Sequence, residues 1–184
     1  MIEQLAREFI EKNAYISAAE AIDQSVVGLK IYDAPVLCYA NAKDELFEQF
    51  KSVYSATYGH FLPPHEWLKE AVTVISIFFP YTEAVRRGNS RDMRFPAKEW
   101  LHGRVEGQAI INRCTQYLLD KLREQGFKAV APCLDERFKA SSGQDVDDQS
   151  TLSNKDFYSN WSERHVAFAA GHGTFGLSRG LITS

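Results

Sequence analysis

The sequence has few cysteines, and they lie far apart. Its 184 residues contain three, Cys38, Cys114 and Cys133, and no C-x-x-C pair. This spacing excludes a local zinc knuckle or a ferredoxin-type iron–sulfur site within the chain. An odd, scattered set is typical of reduced, mostly buried thiols in a cytoplasmic protein, so we expect a cytoplasmic location.

The sequence also lacks an excess of positive charge and a long apolar run. The formal net charge is −3 and the pI is about 6.0, which argues against nucleic-acid binding as the main role. The clearest apolar stretch, ISIFFPY, contains Ser76 and Pro80 and is too short to cross a bilayer. The acidic N-terminal segment has no apolar region of the signal-peptide kind. We therefore expect a soluble protein without a membrane partner.

Apolar periodicity predicts alternating helices and strands. Helices are expected over 1–13, 41–54, 98–125 and 160–170, and strands over 26–32, 34–40, 71–81 and 127–138. The strand over 71–81 is apolar and β-branched almost throughout, as in a strand covered on both faces. Gly103 and Gly107 weaken the start of the long helix, so either a ligand or simple helix packing is expected close to that backbone. The pattern indicates an α/β or α+β fold with a mixed sheet in one domain.

Two polar stretches are candidate functional loops. Residues 139–157 contain almost no large apolar side chain, so this segment is expected to be exposed. The second stretch, 82–96, is rich in arginine. Its four arginines are Arg86, Arg87, Arg91 and Arg94.

Three glycines near the end of the sequence have the G-x-G-x-x-G spacing of a dinucleotide-binding loop. They are Gly171, Gly173 and Gly176. That loop needs a strand before it and a helix after it, but the preceding segment has helical spacing. Gly171 is therefore predicted to be a helix C-cap in the left-handed conformation, and the sequence argues against a dinucleotide site.

Three landmarks occur in one order along the chain. They are the apolar strand that ends at Pro80, a helix with small residues and arginine, and the run WSERHVAFAAGHGTFGLSRGLIT. Together they resemble the cobamide-dependent epoxyqueuosine reductases and their reductive-dehalogenase relatives. In that family a helix leads into an Ala-Gly-Leu-Gly turn and then a run ending in Leu-Ile-Thr. The matching residues here are 170–173 and 181–183, with His172 where the family usually has leucine.

The resemblance implies a nitroreductase-like three-layer sandwich, α/β or α+β, with a mixed central sheet flanked by helices. It also implies a bound corrinoid (cobalamin) that reduces a small-molecule substrate. In the family, electrons come from two 4Fe–4S clusters in a ferredoxin-like module after the Leu-Ile-Thr run. The sequence stops at Ser184. Residues 1–184 are therefore expected to be a single corrinoid-binding domain, served by a ferredoxin-like partner or module. A nucleic-acid partner is expected only if the substrate is a tRNA base.

The resemblance places the cofactor-binding residues around the terminal motif. They are Arg164, Gly171, His172, Gly173, Thr174, Gly176 and Ser178. The glycines would let the backbone approach a flat ring; the alternative is that they only cap the helix and form turns. The family binds its corrinoid without a protein histidine on cobalt, so no residue of this chain is expected to ligate a metal.

The resemblance also implies a catalytic role for Asp156, which precedes Glu163 and Arg164 near the spacing of a proton-donating aspartate. Such a donor needs a raised pKa, and the alternative is an ordinary loop aspartate. Two other functions stay open. One is a flavin-dependent, nitroreductase-like enzyme that binds the FMN phosphate through the arginines of 86–94. The other is a non-catalytic ligand-binding or sensor domain.

Overall fold

The computed structural model describes residues 1–52, 57, 59–91, 94–142, 157–178 and 180–183. The fold mixes helices with short strands and belongs to the α+β class. The chain divides into two compact units, each made of two segments. Unit 1 comprises Met1–Leu37 and Ile77–Lys128, and unit 2 comprises Cys38–Ser76 and Ala129–Ser184. Among the helices described, none is both long enough and apolar enough to span a membrane.

Unit 1 is mainly helical. Its helices are α1 (Ile2–Asn13), α4 (Glu83–Asn89), α5 (Lys98–Arg104) and α6 (Glu106–Glu124), with a 3-10 turn at Gln24–Val26. Ala6 and Ile10 of α1 share one buried core with Ile110, Cys114 and Leu118 of α6. The apolar stripe at helical spacing thus forms the α1–α6 contact, and the prediction of an N-terminal helix is confirmed.

The predicted helix over 98–125 is broken at Val105, where φ is −95° and ψ is −71°. The glycines on either side are packed against tyrosine rings. A Cβ atom on Gly103 would lie 2.7 Å from Cε1 of Tyr81, and one on Gly107 would lie 2.6 Å from the hydroxyl oxygen of Tyr32. Both glycines therefore make room for core aromatics, and helix packing accounts for them.

Unit 2 is built from short elements. Its helices are α2 (Glu45–Gln49), α3 (Pro64–Trp67) and α7 (Glu163–Ala169), with a 3-10 turn at Pro132–Leu134. Aromatic rings form much of its core: Phe61 stacks on Trp161 at 5.5 Å between ring centroids, and Trp67 meets Trp161 edge-on at 6.0 Å. Phe47 and Val166 are buried in the same cluster.

The described strands form three two-stranded sheets. They pair as β1 (Val36–Asn41) with β2 (Thr73–Phe78), β3 (Ala140–Ser142) with β4 (Phe157–Ser159), and β5 (Gly173–Phe175) with β6 (Leu181–Thr183). The last two pairs are antiparallel. A single mixed central sheet is therefore not found among the described residues, and the nitroreductase-like sandwich stays a prediction.

Two predicted strands are wrong. In 26–32, Ile31 and Tyr32 are buried in the core of unit 1, but only isolated bridges form, Tyr15 with Lys30 and Tyr32 with Tyr81. In 127–138 the described backbone contains the Pro132–Leu134 turn and no strand. The first segment buries Ile31 and Tyr32 without a strand ladder, whereas the apolar side chains of 127–138 are only partly buried or exposed, so apolar content alone gave the wrong element.

Candidate ligand site at the end of helix α7

Helix α7 and the hairpin after it hold all the predicted cofactor-binding residues that the structure describes. The helix buries Val166 in the core of unit 2. Its C-terminal end has the two hydrogen bonds of a Schellman motif: the Gly171 amide donates to the Phe168 carbonyl and the His172 amide to the Ala167 carbonyl, both at 3.0 Å. Gly171 has φ +86°, so its prediction as a left-handed C-cap is confirmed.

A β-hairpin follows this turn. Gly173 pairs with Thr183 and Phe175 with Leu181, and the Gly176 amide donates to the Gly180 carbonyl at 2.9 Å. The two strands approach so closely that a Cβ on Gly173 would lie 1.9 Å from the Ile182 carbonyl oxygen. The hairpin itself therefore requires glycine at 173. A helix before the glycines and a hairpin after them also fit the rejection of a dinucleotide loop.

The hairpin has one packed face and one open face. Phe175 lies on the packed face and is 36% exposed, with its ring centroid 5.1 Å from that of His165 and 5.5 Å from that of Phe168. Side chains alternate across strands, so the cross-strand partners Thr174 and Ile182 share the opposite face. Thr174 is exposed and Ile182 is 62% exposed. We call the surface formed by Thr174, Ile182 and the exposed turn residues Leu177 and Ser178 the open face.

His172 anchors the start of the hairpin through a buried hydrogen bond. It is 5% exposed, and its Nε2 atom lies 3.0 Å from the Ser76 carbonyl oxygen of β2. A carbonyl oxygen can only accept, so Nε2 carries the proton. This hydrogen bond ties the turn to a strand almost a hundred residues earlier. The imidazole is thus held inside the protein.

Ser162 and His165 form a polar pair at the start of α7. The Ser162 Oγ atom lies 2.6 Å from Nδ1 of His165. Burial lowers the pKa of His165, and the Arg164 charge lowers it further, which favours the neutral ring. The tautomer of the ring then decides whether Nδ1 or the hydroxyl group donates in this hydrogen bond. Sequence reasoning missed this pair, although serine at the N-cap three residues before histidine was a usable signal.

The other predicted residues are placed as follows. Arg164 is exposed on α7, beside the turn in sequence. Asp156 and most of the polar stretch 139–157 lie outside the described residues. Of the arginines considered for FMN, Arg87 pairs with Glu83 at 2.6 Å and Arg91 with Glu99 at 3.4 Å, all in unit 1.

Cys114 is buried and Cys133 is half-buried, and both surroundings favour the protonated thiol. Burial raises the pKa of Cys114 to about 12. The pKa of Cys133 rises to about 11, again mainly through burial and in addition through the Glu163 carboxylate. Thiolates are the form that binds iron and zinc. Within the described ranges, no group of three His, Cys, Asp or Glu side chains is placed to hold a metal ion.

No family model, curated protein or solved structure matches the chain. The resemblance to epoxyqueuosine reductases therefore stays a prediction from the terminal motif.

Proposed function

We propose that this chain is the corrinoid-binding part of a cytoplasmic reductase related to epoxyqueuosine reductase, with a nitroreductase-like fold. The observation that carries the proposal is the open face of the hairpin, which follows the Schellman turn in the segment where the resemblance is strongest. The face combines exposed apolar side chains with hydroxyl groups on a backbone fixed by hydrogen bonds.

The open face fits one side of a large, flat ligand that carries amide groups. Ile182 and Leu177 offer apolar surface, since they are 62% and 108% exposed. Thr174 and Ser178 offer hydroxyl groups that can donate to or accept from amides. Arg164 offers a guanidinium group suited to a phosphate or a carboxamide oxygen. These residues would hold the ring edge, and a bound corrinoid would supply electron transfer through cobalt.

The chain's own residues hold this surface in place. The Gly173–Ile182 approach and the His172–Ser76 hydrogen bond fix the hairpin, so little order has to be gained when a ligand binds. As the resemblance implies, electrons are proposed to come from a ferredoxin-like partner or module. The substrate is proposed to be a small molecule or a tRNA base.

The test is an anaerobic titration of the chain with cob(II)alamin, followed by absorbance and EPR. We expect saturable binding and loss of the nitrogen superhyperfine pattern of the lower base. Ile182→Glu should weaken binding at least tenfold, because it places a carboxylate under an apolar ring. Val72→Glu is the matched control, since Val72 is 73% exposed in unit 2 outside the hairpin.

An unchanged cofactor spectrum at saturating protein would overturn the proposal for this chain. Equal weakening of corrinoid binding by Ile182→Glu and Val72→Glu would show that the open face is not the binding surface. A parallel titration with FMN covers the flavin alternative: tight flavin binding without corrinoid binding would replace the proposal by a flavoenzyme.

A further inference from the structure

Unit 2 also contains a pocket, formed by residues that are far from the hairpin in sequence. It has a volume of about 290 Å³ and lies between the turn that leads into α2, helix α3 and the segment after α3. Its apolar lining comes from Ala42, Phe47 and Ala71. Phe47 is 1% exposed and belongs to the core, so this wall is rigid. A pocket of this size suits a small molecule.

The acidic groups at this pocket already have partners. Asp44 caps α2, its Oδ1 atom accepting the Leu46 amide proton at 2.9 Å. Glu48 lies 3.6 Å from Nδ1 of His65 and 3.7 Å from Nζ of Lys51. Asp44 is thus held by a backbone amide, and Glu48 has two basic neighbours, of which Lys51 lies closer to Glu66, at 3.1 Å.

The lysines at the same pocket are different. Lys43 and Lys69 both line it, and both are exposed. Neither ammonium group has an ion-pair partner among the residues that the structure describes, unlike Lys30, Lys51, Lys98 and Lys121. The pocket thus presents two ammonium groups without an ion-pair partner above an apolar wall, beside two carboxylates that are already engaged.

We propose that this pocket binds a small organic anion, a carboxylate or a phosphate monoester with a short apolar group. The lysines contact the anionic head, and the wall of Ala42, Phe47 and Ala71 contacts the apolar body. The site is independent of the proposed corrinoid function, because it shares no residue with the hairpin.

The experiment titrates the full chain with four probes and follows backbone amide shifts by NMR. The probes are 3-phenylpropanoate, phenyl phosphate, phenylalanine and the neutral 3-phenylpropanol. We expect saturable shifts confined to 42–48 and 65–71 for the two anions, with the tighter anion identifying the head group. Phenylalanine adds an ammonium group to the same skeleton and should bind more weakly, because the lysines repel it.

Two lysine variants and one control locate the binding. Lys43→Gln and Lys69→Gln should each weaken the preferred anion by about two- to fivefold, the range of an exposed ion pair. Lys12→Gln, on α1 of unit 1, should leave the affinity unchanged. Shifts that do not saturate, equal losses in all three variants, or tighter binding of phenylalanine or the neutral alcohol would each overturn the proposal.

Discussion

Unit 1 buries its core with two long helices, α1 of 12 residues and α6 of 19, whereas the helices of unit 2 have seven residues or fewer. Helices much shorter than about 12 residues are not stable alone in water. The elements of unit 2 therefore depend on single caps, turns and side-chain contacts, such as the Asp44 cap and the Schellman turn. This difference predicts that the loss of one contact lowers the stability of unit 2 more than that of unit 1.

The largest effect is expected for Gly173→Ala in unit 2. The new Cβ would lie 1.9 Å from the Ile182 carbonyl oxygen, and neither backbone can move without opening the hairpin. We expect a loss of about 3 kcal/mol in the stability of the hairpin, at the upper end for overpacking. Amide hydrogen exchange of β5 and β6 measures it. Gly180→Ala is the control, because its Cβ would meet only Ser178 Oγ at 3.4 Å; equal effects would contradict the close approach.

A smaller effect is expected for Gly107→Ala in unit 1. Its Cβ would meet the Tyr32 hydroxyl at 2.6 Å, but a side-chain tip can shift and alanine favours the helix by about 1 kcal/mol. We expect a net loss of about 1–2 kcal/mol in urea unfolding. The same substitution in a Tyr32→Phe background should cost less, since the clashing oxygen is gone. An equal cost in both backgrounds would show that the hydroxyl is not the obstacle.

The third prediction concerns acid stability in unit 2. Arg137 donates to the Glu66 and Trp67 carbonyls and to Asp135, and its hydrogen bond lowers the pKa of Asp135 from 3.8 to about 2. A lowered pKa gives stability that is present above the ordinary value and lost as pH falls from 3.8 toward 2. Asp135→Asn should remove about 1 kcal/mol of this pH-dependent stability, because the pair is partly exposed.

Thermal unfolding at several pH values between neutral and 2 measures the slope of stability against pH. The control is a double-mutant cycle: in an Arg137→Gln background, Asp135→Asn should change the pH dependence of stability less, because only the backbone amide of residue 137 then still donates to Asp135. A slope that Asp135→Asn alters equally in both backgrounds would assign the acid sensitivity to another group.

The smallest effect on stability is expected for Glu163→Gln, which changes reactivity instead. Cys114 in unit 1 and Cys133 in unit 2 both have pKa values raised by burial, but only Cys133 also faces Glu163. Removing that charge should speed alkylation of Cys133 by iodoacetamide at pH 8 by less than about tenfold, since burial is the larger cause. Cys114 is the internal control, and faster labelling of both thiols would indicate unfolding.

The sequence predicted elements whose signal is local. The stripe of α1, the apolar run of β2, and Gly171 after α7 each depend on neighbours a few residues away, and the structure has all three. The buried run at 26–32 looks locally like a strand, yet the contacts of Ile31 with α1 and α6 decide its structure.

The details of the candidate site could not be predicted in the same way. The need for glycine at 173 comes from the Ile182 carbonyl across the hairpin, and the role of His172 comes from Ser76 in β2. Such requirements arise only when segments that are distant in sequence meet, so the spacing of the glycines does not reveal them. The open face likewise follows from the strand register and not from the motif.

The interleaved segments of the two units have a consequence during synthesis on the ribosome. The core of unit 1 can close once Lys128 has left the exit tunnel, because its second segment is then present. Residues 38–76 are made earlier but must wait for Trp161, Val166 and Ala170, which complete their core. Throughout the translation of Ile77–Lys128 they expose Phe47, Phe61 and Trp67 to solvent. Nascent chains stalled in that interval are therefore expected to be the form that a chaperone specific for exposed apolar segments binds best.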